Sequence, residues 1–280
     1  MVRLLLCLAA IGIITGAPTL AVEGGLRVKF EGARLTGAVR VGDIEAGEPN
    51  CSGIMIAPGW VLTAAHCPAS CGMTAVLGSR DDQVTDRVQI EGRIRHPRYI
   101  PANNDTGDPA QFDVALVKLF DPLEKRGADG RITTRVALPF VRSDAKFFED
   151  GRAIVYGYGI TRDARFENGR LSQRDLDDIG FLRMGQFKIG GVEGRLLRLD
   201  DIDAKLKGGD SGAAILVPGH SEGVILPHYQ VLGVVSFIRG NDALGLASVH
   251  FADWAQRVID GDHAPSLCPA PVMNVIGGTW

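Results

Sequence analysis

Ser211 sits in Lys207-Gly208-Gly209-Asp210-Ser211-Gly212-Ala213, a small hydroxyl residue among neighbours of little bulk and directly after an acid. A nucleophilic serine needs such surroundings: room for the attacking oxygen, and backbone N–H groups free to face a developing oxyanion. The same run is also a good turn, so the chemistry depends on partners elsewhere. A serine hydroxyl is a poor nucleophile at neutral pH and needs a base, which in turn needs an orienting group. His66 ends the run Trp60-Val61-Leu62-Thr63-Ala64-Ala65; taken alone it reads as a satisfied core histidine at a strand end. Asp113 opens the apolar run Val114-Ala115-Leu116-Val117 instead of sitting in the preceding loop, where an acid is more at home. Its plain reading is a turn acid that starts a strand. His66, Cys67 and Cys71 could be metal ligands, but one short cluster lacks a second ligand pair, and neither metal nor cofactor is expected.

The elements that must hold these residues are short. The chain has 280 residues, 36 of them Gly and 14 Pro, and 45% are hydrophobic. That much turn punctuation favours many short strands, in one large all-β unit or in two small domains sharing a cleft. Net charge is −3 with no long basic run, so nucleic acid is not an expected partner. Met1-Val2-Arg3, the apolar run Leu4 to Thr15 and the small residues before Ala21 read as a secretory signal cleaved after Ala21. The mature chain is then expected to be secreted or periplasmic, with no membrane attachment. Cys7 leaves with the signal. Cys51, Cys67, Cys71 and Cys268 remain, an even set in an oxidising compartment, which suggests two disulfides in one of three pairings.

Alternation predicts strands over Leu26–Phe30, Ala38–Val41, Cys51–Ile56 and Trp60–Thr63, the last two joined by the turn Ala57-Pro58-Gly59. Further strands are predicted at Thr74–Leu77, Arg87–Ile90, Gly92–Arg95, Asp113–Leu119, Ala153–Gly159, Phe181–Arg183, Leu196–Leu199, Ala213–Val217, Val231–Phe237 and Leu244–Val249. Residues 100–110 and the charge-dense 161–180 read as exposed excursions, and His220 and His228 as surface residues of an insertion. Phe251, Trp254, Ala255, Val258 and Ile259 recur at helical spacing before Gly261.

Cys51-Ser52-Gly53 followed by Gly59-Trp60-Val61-Leu62-Thr63-Ala64-Ala65-His66-Cys67 closely resembles the catalytic-histidine segment of the chymotrypsin/trypsin-like serine peptidases. Asp113-Val114-Ala115-Leu116 resembles that family's Asp-Ile-Ala-Leu block. Gly157-Tyr158-Gly159 resembles its Gly-Trp-Gly strand, with Tyr158 for Trp, and Asp253-Trp254 resembles a pair in its terminal helix. His96-Pro97-Arg98-Tyr99 matches a structural segment, so His96 is not a catalytic candidate. The order His66, Asp113, Ser211 fits this family and differs from those of the α/β-hydrolases and subtilisins.

The resemblance implies an all-β fold: two six-stranded antiparallel Greek-key barrels packed around a cleft, with a C-terminal helix. Residues 22–140 would form the barrel with His66 and Asp113, residues 141–260 the barrel with Ser211 and the helix, and 261–280 a tail. It implies Ser211 as nucleophile, His66 as base and Asp113 as orienting carboxylate, with the N–H groups of Gly209 and Ser211 as the oxyanion hole. It pairs Cys51 with Cys67, which leaves Cys71 with Cys268. Val22-Glu23-Gly24-Gly25 resembles the family's mature terminus, so signal removal itself would free the Val22 amine to pair with Asp210.

The substrate-binding candidates are Lys205, Ser236, Phe237, Ile238 and Gly245. Lys205 stands where trypsin-like members carry the acid that binds Lys or Arg, so a trypsin-type preference is not expected. Lys205 could meet an acidic substrate side chain or be a solvated lysine. Lys207 replaces a cysteine that staples the pocket wall, Ile238 stands where an open pocket has Gly, and Gly245 would keep the far wall open. The expectation is a secreted, monomeric serine endopeptidase acting on proteins or peptides. A catalytically inactive homologue acting as a binding protein is the alternative, and an esterase would share the mechanism.

Overall fold

The computed structural model describes residues 22–28, 36–42, 51–78, 86–103, 108–121, 138–160, 166–167, 170–172, 180–219, 228–239 and 242–262. The first group of strands is β1 (Leu26–Arg27), β2 (Ala38–Gly42), β3 (Cys51–Ala57), β4 (Trp60–Thr63), β5 (Thr74–Leu77), β6 (Asp86–Arg95) and β7 (Ala115–Leu119). Then come β8 (Arg152–Gly157), β9 (Phe166–Glu167), β10 (Arg170–Leu171), β11 (Arg183–Glu193), β12 (Leu196–Asp201), β13 (Ala214–Gly219), β14 (His228–Arg239), β15 (Asp242–Ala247) and the helix α1 (Ala252–Ile259). The expected signal, Cys268, His220 and residues 263–280 lie outside the described residues, as does the side chain of His228.

Strands β2 to β7 close into one antiparallel barrel in the order β2-β3-β4-β7-β6-β5. The second barrel runs β11-β12-β15-β14-β13-β8 and closes where β8 pairs with β11. The all-β, two-barrel architecture with a terminal helix is therefore the one the sequence implied. Closure leaves neither barrel a bare edge, so strands this short need no outside partner for their backbone groups. The β3–β4 hairpin turns at Pro58-Gly59, where Gly59 has φ +69.

Several segments differ from the strand reading: the strand expected at Phe181–Arg183 is β11, Arg183–Glu193, and the one expected at Leu244–Val249 stops at Ala247, where a 3-10 turn begins. Arg87–Ile90 and Gly92–Arg95 form one strand, β6, whose register shifts between Ile90 and Gly92. A bulge there breaks the period-2 alternation, which made one strand look like two. Of the expected strand Leu26–Phe30, the described residues include Leu26–Arg27, which pair with Met184 and Arg183 of the second barrel although they precede the first in the chain. Of 161–180, the described residues include the short β9–β10 pair.

One apolar cluster joins the barrels. Leu62, Val114 and Leu116 from the first pack with Leu216, Val234 and Leu246 from the second, and with Phe251, Trp254, Ala255 and Val258 of α1. Each large side chain removed from water there contributes about 1.5–3 kcal/mol. The helix reads as expected, and Trp254 meets His96 edge-on with ring centroids 4.9 Å apart. This cluster fixes one barrel against the other and so sets the geometry of the cleft between them.

Candidate active site

Register brings His66 and Asp113 together. Thr63 at the end of β4 pairs with Ala115 at the start of β7, so the residues just after one strand face those just before the other. Asp113 is 1% exposed and accepts three hydrogen bonds. His66 N–H reaches Oδ1 at 2.9 Å, while Oδ2 lies 2.7 Å from His66 Nδ1 and takes the Ser236 hydroxyl at 2.5 Å. Burial works to raise the Asp113 pKa, but the hydrogen bonds and charge of His66 and the Ser236 hydroxyl outweigh it and hold the group below the usual carboxylate value. The acid thus stays ionised, and Nδ1 carries the proton that faces it. That leaves Nε2 of His66 as the acceptor.

Phe112, just before Asp113, has φ +48, a costly conformation for an aromatic residue. It is held there by His96, stacked at 4.7 Å between centroids, and by the Arg98 guanidinium 4.1 Å from its ring centre. His96 is thereby structural, as expected. Burial and the charges of Arg98 and Arg257 push its pKa down to about 4.

Ser211 follows β12 and precedes β13 on a loop that needs glycine. Gly209 has φ +95 and Gly212 φ +84. A Cβ at Gly212 would lie 2.9 Å from Ala64 N and closer still to Ser52 O and Thr63 Oγ1. The loop therefore presses directly on the first barrel, and Ser52 N–H donates to Ser211 O at 2.8 Å. Asp210 is fully buried; its carboxylate accepts from Gly159 N–H at 2.8 Å and Lys207 N–H at 2.9 Å. Burial nevertheless pushes its pKa up to about 7, against those two N–H groups and the charge of Arg183. A carboxyl in that condition gains from any cation brought to it.

His66, Asp113 and Ser211 line one cleft of ≈ 510 Å³. Ser236, Phe237 and Ile238 of β14 form one wall, with Tyr99, Pro101, Ala102 and Ala110 also lining it. Lys205 and Gly245 are not among the lining residues. Lys205 Nζ lies 4.0 Å from Asp201 Oδ2 with its side chain 59% exposed, and its backbone pairs with Glu23 in both directions. A Cβ on Gly245 would meet Ile215 Cδ1 and Val234 O, so this glycine serves packing inside the barrel. Lys207 does line the cleft, and its Nζ lies 3.2 Å from Glu23 Oε2.

Three contributions escaped the sequence reading. Ser236, a substrate-binding candidate, lines the cleft and also gives its hydroxyl to Asp113. Tyr99, in a segment that resembles a structural one, lines the cleft as well. Pro101 and Ala102 belong to a stretch read only as a polar loop. Tyr99-Ile100-Pro101, at the start of that loop, is the one available signal.

Cys51 and Cys67 form a disulfide, which ties β3 to the residue after His66. Ligand-type atoms of Cys51, His66 and Cys67 lie within 4.8 Å of one another, but sulfurs joined to each other are not thiolate ligands, so this group does not fit a metal. Cys71 is also disulfide-bonded; the expected partner Cys268 lies outside the described residues.

The trypsin family model matches residues 30–255. The chain is 37% identical to human serine protease 56 over 29% of its length and 13% of the human protein. It is 31% identical to human granzyme M over 59% of its length and 63% of that protein. The chain thus covers less than two thirds of either relative. A solved structure of a scabies mite inactivated protease paralogue superposes with a TM-score of 0.61 at 18% identity, over 86% of this chain and 99% of that one, a likeness of fold. With a family match across both barrels and the cleft between them, this chain belongs to the trypsin family.

Proposed function

We propose that the chain is a serine endopeptidase that cleaves peptide bonds through Ser211, His66 and Asp113. The observation that carries the reading is the buried Asp113, held by the Ser236 hydroxyl and bonded twice to His66, which it orients in the cleft that Ser211 also lines. His66 Nε2 takes the Ser211 proton as Oγ attacks the carbonyl carbon, and Asp113 stabilises the imidazolium that forms. The N–H groups of Gly209 and Ser211 meet the tetrahedral oxyanion. His66 then protonates the leaving amine, and a water activated by the same imidazole releases the acyl group.

The chain is exported, its signal ends at Ala21, and the new amine at Val22 pairs with Asp210. Support comes from Val22 being 0% exposed, from the Glu23–Lys205 backbone pair that holds the segment in place, and from a buried carboxyl that favours a cation. Residues 22–140 and 141–260 are the two domains, 261–280 is a tail, and the active form is a monomer. Substrate recognition falls to Ser236, Phe237 and Ile238, with apolar side chains favoured along the cleft; Lys205, paired with Asp201, is a surface lysine.

A second reading, a binding protein without catalysis, is favoured by Ile238 in the wall and by a pocket that lacks the usual acid. The test is cleavage of a mixed peptide library followed by mass spectrometry. Cleavage products from wild type that vanish with Ser211→Ala support the peptidase; intact peptides retained by the protein support the binding reading.

A further inference from the structure

We infer that Ser52 is a positioning residue for the oxyanion site, an inference that rests on the serine peptidase reading above. Ser52 lies in β3 of the first barrel and is fully buried. Its hydroxyl donates to Gly209 O at 2.8 Å and accepts from Tyr158 N–H at 2.9 Å. A hydroxyl has one proton to give, and here the donated and the accepted bonds both cross to the second barrel. The Ser52 backbone adds its N–H to Ser211 O at 2.8 Å, and its carbonyl takes the Thr63 hydroxyl at 2.8 Å.

Gly209 is the residue that needs restraint. The peptide plane before it carries the N–H assigned to the oxyanion, and the plane after it carries the carbonyl that Ser52 holds. Peptide planes are rigid, so only φ and ψ of Gly209 link the two groups. With φ at +95 and no Cβ, that residue has the widest freedom to swing its N–H away from the cleft. Asp210 anchors the far side of the loop through its N–H on Lys207 O at 3.1 Å and its carboxylate on Lys207 and Gly159. Ser52 anchors the near side from the opposite barrel. Without its hydroxyl, the half-buried Gly209 carbonyl and the buried Tyr158 N–H both lose their partner, which drives the loop to rotate toward other donors. A small apolar residue would fill the volume equally well, so the hydroxyl serves orientation rather than space.

The test compares wild type with Ser52→Ala, Ser52→Thr and Ser52→Cys, using a peptide amide substrate, a peptide aldehyde inhibitor and thermal unfolding. The aldehyde forms a hemiacetal whose oxygen occupies the oxyanion site, whereas KM reports ground-state binding. Ser52→Ala is expected to lower kcat and weaken aldehyde binding by about tenfold each, with KM within about twofold. Ser52→Thr restores most of the loss. Ser52→Cys, which keeps the volume and a weak donor, falls between and stands in for the alanine variant should that one fail to fold. An active wild type matched in kcat and aldehyde affinity by Ser52→Ala overturns this inference alone. Equal losses in Thr and Ala also overturn it, since packing would then be the cause. A folded wild type inert toward substrate and aldehyde overturns the peptidase reading and this inference together.

Discussion

Replacing Gly159 by alanine is expected to disable the serine loop without touching Ser211, His66 or Asp113. A Cβ at Gly159 would lie 2.5 Å from Asp210 Cγ and 2.6 Å from Oδ1, and nearer still to Oδ2. Carbon contacts become comfortable only near about 3.5 Å, so the carboxylate must retreat by roughly 1 Å. That retreat breaks the bonds it receives from Gly159 N–H at 2.8 Å and Lys207 N–H at 2.9 Å. Each charge-assisted bond contributes about 1.5–3 kcal/mol, so the loop loses on the order of 3–6 kcal/mol of restraint. A shift of that size at Asp210 moves the adjacent nucleophile by a similar distance, which costs about 10²-fold in rate. The assay is the second-order rate of acylation by a fluorophosphonate, in a cycle of Gly159→Ala, Asp210→Ala and the double variant. With the carboxylate gone the new methyl has nothing to displace, so the double variant is expected to react within about twofold of Asp210→Ala. Acylation of Gly159→Ala at the wild-type rate, or losses that simply add, would refute the reasoning.

Three further outcomes follow from the same contacts. The His96 pKa is depressed to about 4 in the fold against an ordinary 6.5, so the unfolded chain takes up the proton first. Its contribution is full above about pH 6.5 and falls by about 2 kcal/mol between pH 8 and 5. Urea unfolding at both pH values, compared with His96→Gln, should show that difference, and an opposite slope would contradict it. Ser236→Ala removes the 2.5 Å bond to Asp113 Oδ2; fluorophosphonate acylation should slow about tenfold, and its acid limb should move to higher pH. Tyr158→Phe deletes a hydroxyl lying 2.8 Å from Gly78 O and 3.1 Å from Ala38 O. Chemical denaturation should show a loss of about 1 kcal/mol.

Local composition alone reads His66 as a core histidine and Asp113 as a turn acid; it is the blocks resembling the trypsin family that point to their meeting, and they do meet in the cleft that Ser211 lines. The pairing of Thr63, before His66, with Ala115, after Asp113, makes the contact. The Cys51–Cys67 pairing was carried by the His66 block. What sequence could not give was side-chain direction. Ser236 and Gly245 sit in correctly predicted strands, but one points its hydroxyl at Asp113 and the other faces Ile215. Lys205 was weighed for substrate because of its position before Ser211, whereas its exposed ammonium lies by Asp201. Ser52 carries no sequence signal of its own between Cys51 and Gly53, since a contact with Gly209 across two barrels leaves no periodic trace. The bulge in β6 and the attachment of β1 to the second barrel depend on pairings far apart in sequence, which alternation within one strand cannot report.

The most direct measurement is fluorophosphonate labelling of the purified protein, with the labelled residue located by peptide mass spectrometry. A single label on Ser211 is expected, one that disappears in Ser211→Ala and in His66→Ala while both variants stay folded. A folded wild type that takes no label, or a label that persists in Ser211→Ala, would contradict it.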